Sequence, residues 1–423
     1  MDEAGDQGGE ASCVCILDRY GCRPGRDGEV PAFWPVQGLE QVKGKGPTVE
    51  IEEKKVELIE LFYDLIYVYA ISRLTTLVEE PEHGVIPVTD LLRWLVVCLV
   101  ILQAWLYLTN YVNRYGEWRW WEYLLTGANM FAAVYMSNTI SRRWDEMSGT
   151  FNLAMLAMLA CVALMYAVRA AEGGERAAAA RNSITILLVD CLLYLCAFVA
   201  SLVSAGTIVV WLDVAAVVCG AFLPFFLRGS FDYGIINFPH LAERFELLTI
   251  ITFGEGVVGM TGFFDPARPT LRPVLVFLLI ALMYGGYVLQ LHVLSERRRV
   301  DRALRLMFSH YLIVMAVNLV TVSLLLLENS SANRTFVAVL MLASLAVFYA
   351  AMYADSVYYR PGTTFTGADG SAAVMFLLVG GAVMLLPWPG NGYGVLTGAL
   401  TVAAGNFVML ERKRRLGLRD THI

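Results

Sequence analysis

The stretch "IELFYDLIYVYAISRLT", from Ile59 to Thr75, is an apolar run that contains three charged residues. A helix over residues 57–78 is long enough to cross the hydrocarbon core of a bilayer, which is about 30 Å thick. The charged residues are Glu60, Asp64 and Arg73. Charged side chains are costly in hydrocarbon unless they face protein or water. The stretch therefore predicts a transmembrane helix whose acidic residues are shielded from lipid.

The composition of the whole chain supports a membrane protein. Of 423 residues, 57% are hydrophobic and 17% are charged, and the mean hydropathy is +0.57. A soluble chain is typically about 45–50% apolar and about 25% charged. The sequence predicts an all-α polytopic membrane protein with about twelve transmembrane helices. The predicted ranges are 57–78, 91–112, 119–140, 150–170, 183–204, 206–227, 239–263, 272–294, 304–327, 335–356, 371–387 and 391–411.

Lys and Arg residues are concentrated in alternate loops, and such residues favour the cytoplasmic side of a membrane. The pattern predicts a protein of the cell membrane with both termini in the cytoplasm. We also expect the basic cytoplasmic loops to attract anionic lipid headgroups. The residues assigned to the cytoplasmic side are Lys54, Lys55, Arg114, Arg119, Arg169, Arg176, Arg181, Arg297 to Arg299, Arg302, Arg305 and Arg412 to Arg415.

The two ends of the chain differ from the apolar region between them. Residues 1–50 are rich in Gly and polar residues and lack periodicity, which predicts a disordered cytoplasmic extension. Residues 412–423 are predicted to form a basic cytoplasmic tail. Three thiols without a nearby His make a weak ligand set, so the cysteines of the extension are interpreted as reduced thiols. They are Cys13, Cys15 and Cys22. The sequence predicts no cofactor and no bound metal.

A short internal echo predicts two related halves. "ELFYDL" at Glu60 and "ERFELL" at Glu243 share the pattern Glu-x-Phe-x-x-Leu, and each copy opens an apolar helix. Six helices separate the two copies, so both would start on the same side of the membrane. We therefore predict parallel six-helix repeats over 55–228 and 235–411, related by an axis along the membrane normal.

The same residues carry a family resemblance. "ELFYDLIYVYAISRLT" is similar to the Glu-Leu-Phe-Phe-Asp-Leu signature of the low temperature requirement A family, and "HLAERFELLTIITFGEGVV" resembles its second conserved segment. The chain departs from the pattern at Tyr63, where Phe is usual, and at Gly256, where Ser is common. The resemblance implies a multi-pass membrane protein associated with growth in the cold. The matching positions are Glu60, Phe62, Asp64, His240, Glu243, Arg244, Phe245, Gly254 and Glu255.

Acidic residues inside the predicted helices are the candidate site, because intramembrane acids commonly mark ion or substrate pathways. We predict a pathway between the repeats that uses Asp64 and Glu255, with Glu60 and Glu243 at its inner mouth. Glycines on both sides of Glu255 can weaken the helix there. A purely structural role for these acids stays open. The predicted supporting polar network comprises His240, Arg244, Arg73, Asp190 and Asp213.

The favoured function is a proton- or cation-coupled transporter or channel for a small ion or small molecule that the sequence does not identify. One alternative is a membrane enzyme acting on a lipid or lipid-linked substrate, with His240 and Glu243 as acid and base; another is a non-transporting scaffold or sensor. The sequence lacks the Gly-x-x-x-x-Gly-Lys-Ser/Thr loop of ATP-driven pumps and known catalytic motifs. We expect no enzyme activity and no nucleic-acid partner, and a homo-oligomer is compatible with the sequence.

Overall fold

The computed structural model describes most of the chain after residue 53. The described ranges are 54–174, 176–203, 206–226, 236–264, 267, 269–296, 303–386 and 392–420. The predicted N-terminal extension with its three cysteines lies outside these ranges, as do the basic residues Arg297 to Arg299 and Arg302.

The described residues form twelve α-helices and no β-strand, and each helix overlaps one predicted range. A four-residue 3-10 segment follows the first helix at Leu74–Leu77, and another follows the seventh at Met260–Phe263. The helices are α1 Leu58–Arg73, α2 Val88–Tyr115, α3 Trp120–Thr139, α4 Trp144–Glu172, α5 Ala177–Leu202, α6 Gly206–Phe226, α7 Phe238–Gly259, α8 Arg272–Val288, α9 Leu304–Glu328, α10 Arg334–Ala354, α11 Gly367–Leu385 and α12 Tyr393–Asp420.

Ten of these helices are long and apolar enough to cross a membrane. The chain is accordingly a multi-pass membrane protein. The exceptions in the described part are α1, which has 16 residues, and α3, which has 20 residues and is less apolar. Both are packed within the bundle, where α1 contacts α2, α3 and α7.

Several helices are longer than the hydrophobic runs that predicted them, because polar residues also stabilise helix ends. Asp145 and Glu146 lie in the first turn of α4, where negative charge is favourable to the helix dipole. At the other end of the chain, Arg414 and Arg415 both pair with Glu411, and such pairs at spacings of three and four residues support a helix. The predicted basic tail is therefore helical as far as Asp420.

Loop contacts separate the two ends of the bundle. Arg142 pairs with Glu80 at 3.0 Å, with Glu82 at 2.8 Å and with Asp90 at 2.9 Å, and we call this the outer end. At the opposite, inner end, Arg169 pairs with Glu122 at 3.1 Å, and it also pairs with Glu117 and Glu172. The positions of these loops agree with a chain that runs back and forth between the two ends.

Close packing between α11 and α12 depends on two facing glycines. A Cβ atom added to Gly380 would lie 2.7 Å from the carbonyl oxygen of Gly398. A Cβ atom added to Gly398 would in turn overlap the side chain of Met384 and the carbonyl oxygen of Gly380. Small residues at such crossings let helix backbones approach closely in membranes.

We predict that Gly398→Ala lowers the stability of the purified protein in detergent by about 1–3 kcal/mol, because the new methyl group overlaps a backbone carbonyl that cannot move easily. Gly127→Ala in α3 is the matched control, since an added Cβ there meets no heavy atom within 4 Å. Thermal unfolding measures both variants. Equal unfolding temperatures would contradict the proposed crossing.

Candidate functional site

A fully buried ion cluster joins α1 and α7. Arg244 of α7 is 1% exposed, and its guanidinium donates to both carboxylate oxygens of Asp64, with Nε to Oδ2 at 3.0 Å and Nη2 to Oδ1 at 2.6 Å. Its remaining amino group, Nη1, donates to Oε2 of Glu60. Glu60 and Asp64 both belong to α1 and share a face because they are four residues apart. One cation of α7 therefore holds two acids of α1.

Helix α2 closes this cluster from a third side. The indole Nε1 of Trp105 donates to Oδ1 of Asp64 at 2.7 Å, and Thr109 lies 3.5 Å from Nη2 of Arg244. The ring centroids of Tyr63 and Trp105 are 5.7 Å and 5.8 Å from the guanidinium carbon, within the range of cation–π attraction. Asp64 is consequently surrounded by protein and has no exposure to solvent or lipid.

His240 extends the cluster toward the inner end. Asn237 caps α7 by accepting from the backbone N–H of His240 at 3.1 Å, and the backbone N–H of Asn237 donates to Oδ1 of Asn113 at 3.1 Å. This contact orients the Asn113 amide so that its NH₂ group donates to Nδ1 of His240 at 3.1 Å. A neutral His240 then carries its proton on Nε2, which lies 3.1 Å from Oε2 of Glu60.

Two acids of this cluster contact one guanidinium. Glu60 and Asp64 contribute two negative charges when ionised, and Arg244 contributes one positive charge. Lys54, which donates to the backbone carbonyls of Val112 and Gly116, is a further cation close enough to interact electrostatically with Glu60. The two acids, Arg244 and His240 are between 0% and 1% exposed. A buried uncompensated charge is expensive, so the second acid requires a compensating cation, which is Lys54, a bound proton or another small cation.

The other predicted pathway residues lie away from this cluster. Glu243 and Glu255 are both half-buried, and neither forms an ion pair with the described residues. Glu255 lies about three helical turns after Arg244, which is about 16 Å along α7. Arg73 is the last residue of α1, about 13 Å along the axis from Asp64.

The glycines beside Glu255 do not interrupt α7, contrary to the expected weakening of the helix. The helix is continuous from Phe238 to Gly259. Gly256 is buried, and an added Cβ there would lie 3.1 Å from Oγ1 of Thr321 in α9. This glycine therefore serves helix packing. A proline inside a helix occurs instead in α6, at Pro224.

Asp190 and Asp213 form a second polar region, distinct from the Arg244 cluster. Asp190 of α5 accepts a short hydrogen bond from the hydroxyl of Tyr107 in α2, and Gln103 lies one turn before that tyrosine. Asp213 of α6 is also fully buried. Sequence analysis identified both acids but not their α2 neighbours.

The α2 residues of the Arg244 cluster were also missed, although the sequence contains a signal for them. Trp105, Thr109 and Asn113 are spaced by four residues, which places them on one face of a helix. Polar atoms repeated on one face of an apolar helix indicate contact with a polar partner. Within the described residues, no group of three or more His, Cys, Asp or Glu side chains is placed to hold a metal ion.

Comparison with known proteins identifies the family of the chain. The family model of the bacterial low temperature requirement A protein (LtrA) matches residues 55–404, which is most of the chain. The chain belongs to the LtrA family. A search of the curated proteins found no match.

In this LtrA protein, the positions that matched the family pattern separate into two groups. Glu60, Asp64, His240 and Arg244 come together in the buried cluster. Phe245 packs beside it, with its ring centroid 4.9 Å from that of Trp105. The remaining positions lie elsewhere, and one of them, Phe62, is 55% exposed. The four polar positions in the cluster are therefore fully buried. The environment is less buried at Glu243, Gly254 and Glu255, which lie outside the cluster.

We predict that Arg244→Leu destabilises the LtrA protein by about 3–5 kcal/mol, because it leaves two buried carboxylates without a cation. Arg272→Leu is the control, since Arg272 pairs with the partly exposed Glu328 and surface pairs are worth about 0–1 kcal/mol. Unfolding of both variants in detergent gives the comparison. Similar losses of stability would show that the cluster does not hold α1 to α7.

Proposed function

We propose that this LtrA protein is a proton-coupled transporter or a proton channel, and that the Arg244 cluster is its proton-sensitive element. The observation that supports the proposal is that two acids contact one guanidinium in a cluster without exposure. A purely structural clamp needs one carboxylate for one guanidinium, and Asp64 already binds Arg244 through two hydrogen bonds.

Glu60 is the residue that such a clamp does not need. It contacts both Arg244 and His240, so a proton on either Glu60 or His240 changes the balance of charge at the contact between α1 and α7. Protonation of Glu60 weakens its attraction to Arg244, whereas protonation of His240 gives Glu60 a second cation. Either event alters the force that holds these two helices together, and such a two-state contact is what proton coupling requires.

A pair of parallel six-helix repeats is part of this proposal, because α1 and α7 would then be equivalent helices facing each other. The order of helix contacts supports it. In the first half α1 packs on α2 and α3, α2 packs on α6, and α4, α5 and α6 pack in sequence. The second half repeats these contacts with α7 on α8 and α9, α8 on α12, and α10, α11 and α12 in sequence. A 3-10 segment follows both first helices.

The burial pattern favours a different register between the repeats from that of the sequence echo. The echo pairs Phe62 with Phe245, yet Phe62 is 55% exposed and Phe245 is 1% exposed. If the second copy is shifted by two residues relative to the echo, Asp64 is paired with Thr249, and both of these residues are fully buried. The Glu-x-Phe-x-x-Leu pattern therefore aligns residues whose environments differ, although the helices that contain them correspond.

This proposal does not use a pathway through Asp64 and Glu255. It uses only the Arg244 cluster between α1 and α7. Protein atoms of α2 and α7 surround Asp64, and about 16 Å of helix separates the level of Arg244 from Glu255. We assign the cluster the role of a switch between helices rather than an open pore. No observation favours the enzyme alternative, since His240 is fully buried and its ring contacts Asn113 and Glu60.

We expect Glu60→Gln to reduce proton flux in proteoliposomes at least about tenfold, the effect of about 1.4 kcal/mol on a rate. This variant removes the extra charge while the Arg244–Asp64 pair remains. The measurement uses a pH-sensitive dye inside the vesicles with an imposed proton gradient, and parallel sodium and potassium gradients test other cations. Glu328→Gln, which removes an acid at the outer end of α9, is the control.

Two results contradict this proposal. Flux that is the same in the wild type, Glu60→Gln and Glu328→Gln would leave the cluster without a role in transport. A wild-type protein of normal folding that moves none of these ions would leave a scaffold or sensor, in which the cluster only locks the helices.

A further inference from the structure

The second polar region contains buried oxygen atoms that lack hydrogen-bond partners. Asp190 and Asp213 are both 0% exposed, and Oδ1 of Asp190 and both carboxylate oxygens of Asp213 form no hydrogen bond with the described residues. The hydroxyl of Tyr194, which is 1% exposed, also lacks one. Ionised carboxylates without partners are costly in a buried site. A bound proton removes that cost by neutralising the charge.

Tyr194 connects the two acids. It follows Asp190 by four residues in α5, which places both side chains on one face of that helix. The Tyr194 hydroxyl interacts electrostatically with both Asp190 and Asp213. Asn152 of α4 lies beside Asp213, and its own side-chain oxygen is buried without a partner. The polar groups thus continue from α5 to α6 and α4.

A cavity of about 100 Å³ reaches this region from the inner end. Arg114 and Leu304 line it near the inner helix ends, and Gln103, Tyr107 and Gly220 line it deeper in the bundle. The last three are the residues that surround Asp190. A cavity of this size has room for a few water molecules, so Asp190 lies one residue layer from a space that water can occupy.

Helix α6 has a glycine, Gly220, where it packs against the polar groups around Asp190. A Cβ atom added to Gly220 would lie 2.7 Å from Oδ2 of Asp190 and would overlap Gln103 and Tyr107. Only glycine therefore leaves room for the polar groups. Pro224 follows one turn later inside the same helix and has no N–H to bond the carbonyl of Gly220. That carbonyl therefore lacks the hydrogen bond that a regular helix would give it.

An open cleft of about 400 Å³ lies on the outer side of the same helices. It is lined at the outer ends of α2, α4 and α6 by residues that include Arg93, Asp145 and Val210. Asp213 follows Val210 by three residues, which is about 4.5 Å farther into the bundle on a neighbouring face. Unpartnered polar groups thus lie between a cleft at one end and a cavity at the other.

We propose that Asp190, Tyr194 and Asp213 form a proton-binding relay through the first half of the protein, separate from the Arg244 cluster. Its ligand is a proton, exchanged with water in the inner cavity and the outer cleft. The transport role of the relay rests on the proposed function, whereas proton binding by the two acids does not.

Each transfer conserves atoms and charge. A hydronium ion in the inner cavity gives a proton to the carboxylate of Asp190, which becomes a carboxylic acid, and a water molecule remains. The Tyr194 hydroxyl forms no hydrogen bond with the described residues, so water molecules that bridge it to the two acids carry the next transfer. Through them Tyr194 accepts a proton from Asp190 as its own O–H proton passes to the carboxylate of Asp213. Asp213 then releases its proton to water in the outer cleft. No oxidant or second reactant is required, and reversal of the steps moves a proton inward.

The groups facing the acids do not supply a compensating cation within the described residues. Asp190 is approached by neutral side chains from three helices, and Asp213 is approached by Tyr194 and Asn152. The titratable groups that surround Asp190 are Tyr107 of α2, Cys191 and Tyr194 of α5, and Cys219 of α6.

Infrared difference spectroscopy during a pH titration tests proton binding directly, since a protonated carboxyl group has a distinct carbonyl stretch. We expect a component of this band in the full-length wild type that is lost in Asp190→Asn and in Asp213→Asn. Asp369→Asn is the control, because Asp369 is a half-buried acid of the second half whose carboxylate pairs with Lys413 at 2.7 Å. Asp190→Glu should shift the component rather than abolish it, which keeps the test valid if Asp190→Asn folds poorly.

Proteoliposome flux supplies the second readout, with Tyr194→Phe interrupting the relay while both acids remain. We expect Tyr194→Phe to lower proton flux at least about tenfold and to leave the infrared component in place. A wild-type spectrum with no carbonyl component that depends on Asp190 or Asp213 would overturn the relay, even if flux depends on Glu60. The infrared component without any wild-type flux would overturn the proposed function and the transport role, and would leave these acids as proton-binding sites.

Discussion

The guanidinium of Arg244 is the constraint on which the centre of this protein depends. A buried guanidinium is stable only where charge and hydrogen bonds compensate it, and here the compensation comes from Glu60 and Asp64 of another helix. One face of the short, charged α1 is consequently held against α2, α3 and α7, while residues such as Phe62 lie on its exposed face. Trp105 and Phe245 fill the space around the ions, so that packing and charge specify the same arrangement.

The two polar regions differ in how well their groups are satisfied. Around Arg244, the guanidinium and the carboxylates are matched by several hydrogen bonds, although Nε2 of His240 forms none with the described residues. Around Asp190 and Asp213, oxygen atoms remain without partners, and a cavity and a cleft approach from the two ends. A satisfied cluster is suited to hold helices and respond to one proton, whereas unsatisfied acids near water are suited to exchange protons.

The family pattern acquires a physical meaning from this geometry. Glu60 and Asp64 are four residues apart in α1, and His240 and Arg244 are four residues apart in α7. Each pair presents two polar groups on one helix face, and the two faces meet. Motifs that are far apart in the sequence of this LtrA protein are therefore the two halves of one ion cluster.

The sequence alone determined the membrane class, the approximate extent of the helices and the shared face of Glu60 and Asp64, because hydropathy and helical periodicity are local properties. Only the tertiary structure decided that Arg244 binds these acids. It also decided that Glu243 and Glu255, on the same helix as Arg244, lie outside the cluster. It also placed Tyr107 against Asp190. Contacts between helices depend on their rotation and depth relative to one another, and the sequence of a single helix does not contain that information.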